Sequence, residues 1–355
     1  MRNQTLERIL DLARWAPSGD NTQPWRFQIV DDRNLLVFGH DTRDDVLYDF
    51  DGHPSHMAHG ALLETIRIAA SAEGLQVSWE IDQSSGNREP LYRVRFDPVP
   101  GKGIDPLASY IRSRVVQRRP MKPMQMSNAD KQALVKAIGD KFEIDFFDTF
   151  GKRLEVACLL WKSAYIRLIT PEAYLVHKKI IEWGVKFSKD KIPESAVGVD
   201  PFTARLMKWV MQSWRRVDFF NKYAFGTILP RIQLDFMPAI RCSSHILIRP
   251  VNPPTHLNDW VMLGASMQRF WLTATALGYH VQPQMTPVIF RWYARAGQCF
   301  SEREGVAGRV EELALEFEKM CGASSETAFG FFARMGRSDE PKSRSLRLEL
   351  DELMK

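Results

Sequence analysis

The chain has 355 residues, enough for two domains or one duplicated domain, and its 45% hydrophobic and 26% charged residues are those of an ordinary globular protein. A net charge of +5 suits anionic ligands but does not mark a nucleic-acid binder, and no aromatic-interleaved basic motif appears. The N-terminus MRNQTLERIL lacks the apolar core of a secretory signal, no run reaches membrane-span length, and Cys158, Cys242, Cys299 and Cys321 form no C-x-x-C pair, so a cytoplasmic protein with no membrane, zinc knuckle or disulfide framework is expected.

Leu6, Ile9, Leu10 and Ala13 recur at helical spacing, with Thr5 as the N-cap. Turn chemistry takes over at Pro17 to Gly19. WRFQIVDDRNLLVFGHD then predicts a hairpin, two β-rich runs around DDRN. His53, His56 and His59 precede or open a second helix, expected over about 57–73 and ending at Gly74. Histidines three apart fan over a helix arc and have no acidic or cysteine partner at ligand spacing, so no metal site is expected there. LQVSWEI and LYRVRFDP read as strands, and DPVPGKGIDP, 97–106, as a linker.

Beyond the linker SNADKQALVKAIGD is a capped helix and KFEIDFFDTF a strand. A helical, aromatic-rich insertion at about 151–230 follows, carrying Trp209, Trp214, Phe219, Phe220 and Tyr223 beside Arg215 and Arg216. Such a pattern fits a helix pair packed on the core, a lid over a site, or a helix on a membrane surface. AIRCSSHILIRP is another strand. GASMQRFWLTATALGYHV, 264–281, then repeats the small-residue pattern of GALLETIRIAASAEGLQV, 60–77, at a constant offset of 204: Ala70, Ala72 and Gly74 answer to Ala274, Ala276 and Gly278. The match points to an internal duplication, with a first half at 1–105 and a second at 106–355 that contains the insertion.

The stretch APSGDNTQPWRF resembles the A-P-S-x-x-N-x-Q-P-W segment of the nitroreductase family of flavoproteins, matching at Pro17, Ser18, Asn21, Gln23, Pro24 and Trp25. RVVQRRP, 114–120, is similar to the family's R-x-S-x-R phosphate-binding run, with Arg114 and Arg118 in the arginine places and Val116 where a hydroxyl residue is usual. PKSR, 341–344, resembles another phosphate-contacting segment through Lys342 and Arg344, and FGFFARMGR, 329–337, resembles the family's last strand. Met285 and Thr286, in GYHVQPQMTP, align with a loop whose backbone meets the flavin N5.

The resemblance implies an α+β fold, a central and mostly antiparallel sheet flanked by helices, here as two related halves in one chain. It implies FMN as cofactor, held by Pro17, Ser18, Asn21 and Gln23 at the ring and by Arg114, Arg118, Arg119, Lys342 and Arg344 at the phosphate and polar edge, with Trp25 walling the loop. Arginine forks and a lysine are the natural partners of a phosphomonoester. Arg119 and Lys122 are alternatives for the positive group that stabilises a reduced flavin. The first half holds the Ser-Asn loop and the second the arginines, so one composite FMN site per chain is expected. The chain would then be a monomeric pseudo-dimer, higher oligomers not excluded. The implied activity is an FMN-dependent oxidoreductase that moves hydride through the flavin N5 between NADH or NADPH and a small organic substrate, with no catalytic side chain nominated. No G-x-G-x-x-G follows a strand, so no separate dinucleotide domain is expected. The alternative is an FMN-binding or sequestering protein with a lidded flavin and little turnover.

Overall fold

The computed structural model describes residues 4–101 and 103–355. Helix α1 (Gln4–Ala13) buries Leu6, Ile9, Leu10 and Ala13, the predicted stripe, with Thr5 inside the helix rather than capping it. The hairpin β1 (Trp25–Ile29) and β2 (Asn34–Gly39) follows, then α2 (His53–Ser71), β3 (Leu75–Ile81) and β4 (Leu91–Pro98). These four strands form one antiparallel sheet in the order β1-β2-β4-β3. In β4 the buried residues Tyr92, Val94 and Phe96 alternate with exposed ones, so one face packs on the core and the other meets solvent.

The second half opens with α3 (Asn128–Ile138), capped by the Ser127 hydroxyl, and β5 (Phe142–Phe147). The insertion then supplies α4 (Phe150–Ile169), α5 (Pro171–Ile180), the two-residue strands β6 (Ile181–Glu182), β7 (Phe187–Ser188) and β8 (Ile192–Pro193), and α6 (Glu194–Val197). It continues through α7 (Pro201–Val210), α8 (Trp214–Tyr223), α9 (Ile228–Pro230) and α10 (Met237–Ile240). The chain returns with β9 (Ser244–Pro250), α11 (Leu257–Ala276), β10 (His280–Pro283), α12 (Thr286–Arg295), α13 (Val306–Cys321) and β11 (Phe331–Gly336), and ends in β12 (Arg344–Ser345) and α14 (Leu350–Leu353). The second sheet, also antiparallel, runs β10-β11-β9-β5. Every residue of β11 is buried, because this sheet is covered by helices on both faces.

Each half is thus helix-strand-strand-helix-strand-strand. With α1, β1, β2, α2, β3 and β4 set against α3, β5, β9, α11, β10 and β11, the two sheets have the same order. The extra helices of the second half fall inside its two strand connections, α4 to α10 between β5 and β9, and α12 with α13 between β10 and β11. The mostly antiparallel sheet expected in two related halves is present as two four-stranded sheets, one per half.

Helices α2 and α11 join the halves. A Cβ on Gly60 would lie 1.8 Å from the Val261 carbonyl oxygen, and one on Gly264 would lie 1.9 Å from the Met57 carbonyl oxygen. Residue 57 answers to 261 and 60 to 264 at the offset of 204, so the contact is reciprocal, the signature of a two-fold interface. Helix α2 begins at His53, not 57, because Pro54 falls at its first turn, where a missing N–H costs nothing.

Candidate functional site

A cavity of about 310 Å³ lies between the halves. The first half contributes the loop Pro17 to Asn21 and the start of α2; the second contributes residues 114–118, α11, the start of α12 and the C-terminal strap. The loop is held in uncommon backbone. Asp20, Asn21 and Gln23 all have positive φ, at 50°, 65° and 48°, a concentration of strain that the surroundings must enforce. Ser18 Oγ accepts from the Gln23 N–H at 3.0 Å, and the Gln23 amide donates to Lys189 O while its oxygen accepts from Leu348 N–H. Asn21 Nδ2 donates to Lys189 O and Leu346 O. The insertion and the strap thereby pin the loop from outside.

One end of the cavity is strongly cationic. Arg114 and Arg347 are 3% and 7% exposed, with Arg344 beside them. Their hydrogen bonds go to main-chain oxygens: Arg114 to Trp15 O, Arg344 to Arg112 O, and Arg347 to Ala16 O. Burial, then Arg347 and Arg344, hold the Arg114 guanidinium well below its ordinary value, and Arg347 is pushed down to about 9 by burial, then Arg344 and Arg14. A guanidinium does not deprotonate in a protein, so the depression expresses the cost of burying these charges and, after it, their mutual repulsion, both of which a bound anion would relieve. Arg114 also stacks on the Trp271 ring, 4.6 Å from its centroid.

The middle of the cavity is apolar, walled by Met57, Ala58, Met267, Ile289 and Phe331. At the far end Arg118 donates to Ala196 O and faces Asp20, whose carboxyl burial raises to about 6 against the pull of Arg118. There the Tyr48 hydroxyl and His177 Nε2 are 3.1 Å apart. Burial, then Arg167, lowers His177 to about 3, so it is a neutral partner for the phenol.

Several residues expected at the site are here. Pro17, Ser18, Asn21, Arg114, Arg118, Met285, Thr286 and Arg344 all line the cavity. Others are not. Gln23 is fully buried as the latch between loop and strap, and Trp25 sits in the core of the first half rather than walling the loop. Arg119, Lys122 and Lys342 are exposed and outside the lining. Val116 lines the cavity and its backbone pairs with Val281 as a β-bridge; nothing in the structure explains valine in place of a hydroxyl residue. His53, His56 and His59 stay off the lining: His53 stacks on Trp260, His56 meets Asn87 O, and His59 lies between Tyr92 and Pro24.

The sequence reasoning missed Asp20, Tyr48, Arg167, His177, Gln282 and Arg347. Arg347 repeats the basic signal of Arg344 three residues on; the others carry no signal that sets them apart.

Among the described residues, six buried polar atoms of the lining have no partner: Asn21 Oδ1, Gln282 Oε1, Arg114 Nε, Arg344 Nε, Trp271 Nε1 and Arg167 Nε. Two acceptors along an apolar slot and two donors at a cationic end suit a flat heteroaromatic ring with N–H groups that carries a phosphate. Among the described residues no group of His, Cys, Asp and Glu could hold a metal ion, and no helix is long and apolar enough to cross a membrane.

Residues 1–52 match the model of the Nitroreductase family. The chain is 25% identical over 329 residues to the uncharacterized protein MT1398 of Mycobacterium tuberculosis (strain CDC 1551 / Oshkosh), covering 91% of this chain and 44% of that protein. It is 27% identical over 201 residues to a protein of the same strain provisionally named NAD(P)H nitroreductase acg, covering 54% of this chain and 58% of that one. The chain thus spans about half the length of these relatives. Among solved structures, a BluB-like flavoprotein from Clostridium difficile 630 aligns with a TM-score of 0.37 at 14% identity, over 71% of this chain and 98% of that one.

Proposed function

We propose that this chain, whose residues 1–52 match the model of the Nitroreductase family, is an FMN-dependent oxidoreductase with one composite cofactor site per chain. The observation that carries the reading is the cavity with a cationic end, whose arginines hydrogen-bond main-chain oxygens, and unpartnered acceptors along an apolar slot. Arg114, Arg344 and Arg347 would hold the phosphate, and Asn21 with Gln282 would receive the ring's N–H groups. Met57, Ala58 and Phe331 would exclude water from its faces. When bound, FMN supplies the hydride-accepting chemistry that no side chain has. Arg118 would place positive charge at the end opposite the phosphate, where Arg119 and Lys122 do not reach.

NADH or NADPH as donor and a small organic molecule as second substrate complete the reading. The two-half boundary near 105 and a monomeric state accompany it, since the two-fold helix contact is already satisfied within the chain. The four cysteines are all free, which suits a reducing cytoplasm.

A visible absorption spectrum of the purified protein, repeated anaerobically with NADPH and then NADH, tests this. The expected result is a flavin spectrum that bleaches, and Arg114→Ala with Arg347→Ala should abolish FMN retention. A flavin spectrum that persists with both nucleotides favours the sequestering alternative, which the pinning of Asn21 under the insertion supports. A protein that takes up no FMN sinks both.

A further inference from the structure

A second chamber of about 280 Å³ lies under the insertion and shares Arg118 and Gln282 with the flavin reading above. It adjoins the main cavity: Asp20, Arg118, Arg167, His177 and Met285 line both. Its own walls are Leu160 of α4, Met207 of α7, Met211, Val217 of α8 and Leu234. The inner faces of α7 and α8, which read from sequence as a core pair, a lid or a membrane-surface element, form its cover.

Two properties of the chamber ask for a ligand. The first is a set of donors with nothing to bind. Ser163 Oγ, Arg167 Nε and Arg334 Nε are buried, line the chamber and have no acceptor. Ser163 is 2% and Arg334 1% exposed. Elsewhere Arg334 spends its donors on the carbonyls of Gln117, Arg118 and Arg119, and Arg167 pairs with Asp235 at 2.9 Å. The second is charge. Arg118, Arg167 and Arg334 face Asp20 and Asp235, and His177 is neutral. Three cations against two carboxylates leave an excess positive charge in a buried, mostly apolar space, which is costly unless an anion answers it.

We propose that this chamber is a binding compartment for a small apolar monoanion, an aryl- or alkyl-carboxylate whose carboxylate meets Ser163, Arg167 and Arg334 and whose apolar body lies among Leu160, Met207 and Val217. Its position makes that molecule the partner of the main cavity's chemistry, and this part rests on the flavin reading above. The carboxylate preference does not.

Calorimetric titration of the protein with phenylbutyrate, and with the neutral phenylbutanol of the same length, reads the proposal directly. Phenylbutyrate should bind, and phenylbutanol should bind about tenfold more weakly or worse, the cost of leaving charge-assisted donors unmet. Val217→Phe fills the second chamber and touches nothing in the main cavity. It should abolish phenylbutyrate binding while FMN loading, followed by visible absorbance, stays at the wild-type level and reports an intact fold. Ser163→Ala, a change of one buried hydroxyl, should weaken phenylbutyrate several-fold by the loss of a single hydrogen bond. Equal affinity for acid and alcohol, no binding of phenylbutyrate, or unchanged affinity in both variants overturns the proposal. Failure of the wild type to take up FMN overturns the flavin reading alone, because the acid-alcohol comparison needs no flavin.

Discussion

His59 shows how much a single side chain can be asked to do away from the site. It is fully buried, its Nε2–H donates to Pro24 O at 2.8 Å, and its Nδ1 accepts from the Tyr92 hydroxyl at 3.0 Å. This pair of bonds needs the neutral ring, and burial, then His56, lowers it to about 3. In the unfolded chain the ring takes up a proton near pH 6.5, so below that pH the unfolded state binds more protons than the native state and stability falls with pH. From pH 6.5 to 5.0 the loss attributable to His59 is about 1.5 kcal/mol. Asp20, raised to about 6, works in the opposite sense over the same window, because the folded state there takes up the proton first. A comparison isolates the histidine: urea unfolding of wild type and His59→Gln at both pH values. The gap between them should shrink by that amount as pH falls; a constant gap would mean the buried ring is not the source. The same single-residue logic sets the limit of legibility at the site. Ser18, Asn21, Arg114 and Arg344 were singled out through segments that resemble the nitroreductase family, and all four line the cavity. Gln23 and Trp25 sit in the same motif, yet their side chains are claimed by Leu348 and by the first core. Which way a side chain faces is decided by segments far along the chain, as the bond from Leu348 N–H to Gln23 shows.

At the scale of elements, the crossing of α2 and α11 makes the sharpest demand. Gly60 and Gly264 let two helix backbones touch, and an added methyl on either would overlap a main-chain oxygen that cannot rotate away. Overpacking of this kind costs about 3 kcal/mol or more when backbone must move. Gly308, in the exposed first turn of α13, has nothing within 4 Å of its Cβ position. Gly308→Ala should therefore stabilise by about 0.5 to 1 kcal/mol through helix propensity, whereas Gly60→Ala and Gly264→Ala should each destabilise, by similar amounts. Thermal unfolding of the three variants checks this; a mild effect at one crossing glycine and a severe one at the other would count against the two-fold relation. The repeat at offset 204 was visible because both helices need Gly at the crossing and a left-handed Gly74 or Gly278 after the last turn. Strands β3 and β4 were also legible to the residue, since alternation survives where one sheet face is solvated. Helices α12 and α13 were not foreseen. They sit inside the β10–β11 connection, and their first-half counterpart is a short turn, so the repeat offered no template for them.

For the molecule as a whole, the site is where distant parts of the chain close on one another. The strap pairs β12 with β7 in the insertion, sends Arg347 to Ala16 O, and bridges Met354 to Phe27 in the first sheet. A ligand in the cavity would touch the first half, the second half and the strap together, so its binding should stabilise the global fold rather than one element. At a hundredfold excess over Kd the linkage is about 2.7 kcal/mol. Riboflavin has the same ring without the phosphate and would leave Arg114, Arg344 and Arg347 repelling one another. Its stabilisation at equal concentration should be much smaller. Arg347→Met keeps an apolar stem of similar length and removes one of the three charges. Without ligand it should lose little stability, since relief of repulsion offsets the lost bond to Ala16 O, yet the gain from FMN should fall toward that from riboflavin. Urea unfolding with each flavin, on wild type and variant, decides it. If riboflavin protects the wild type as well as FMN does, the arginines are not a phosphate cradle, and the repulsion between them must be met by something other than this cofactor.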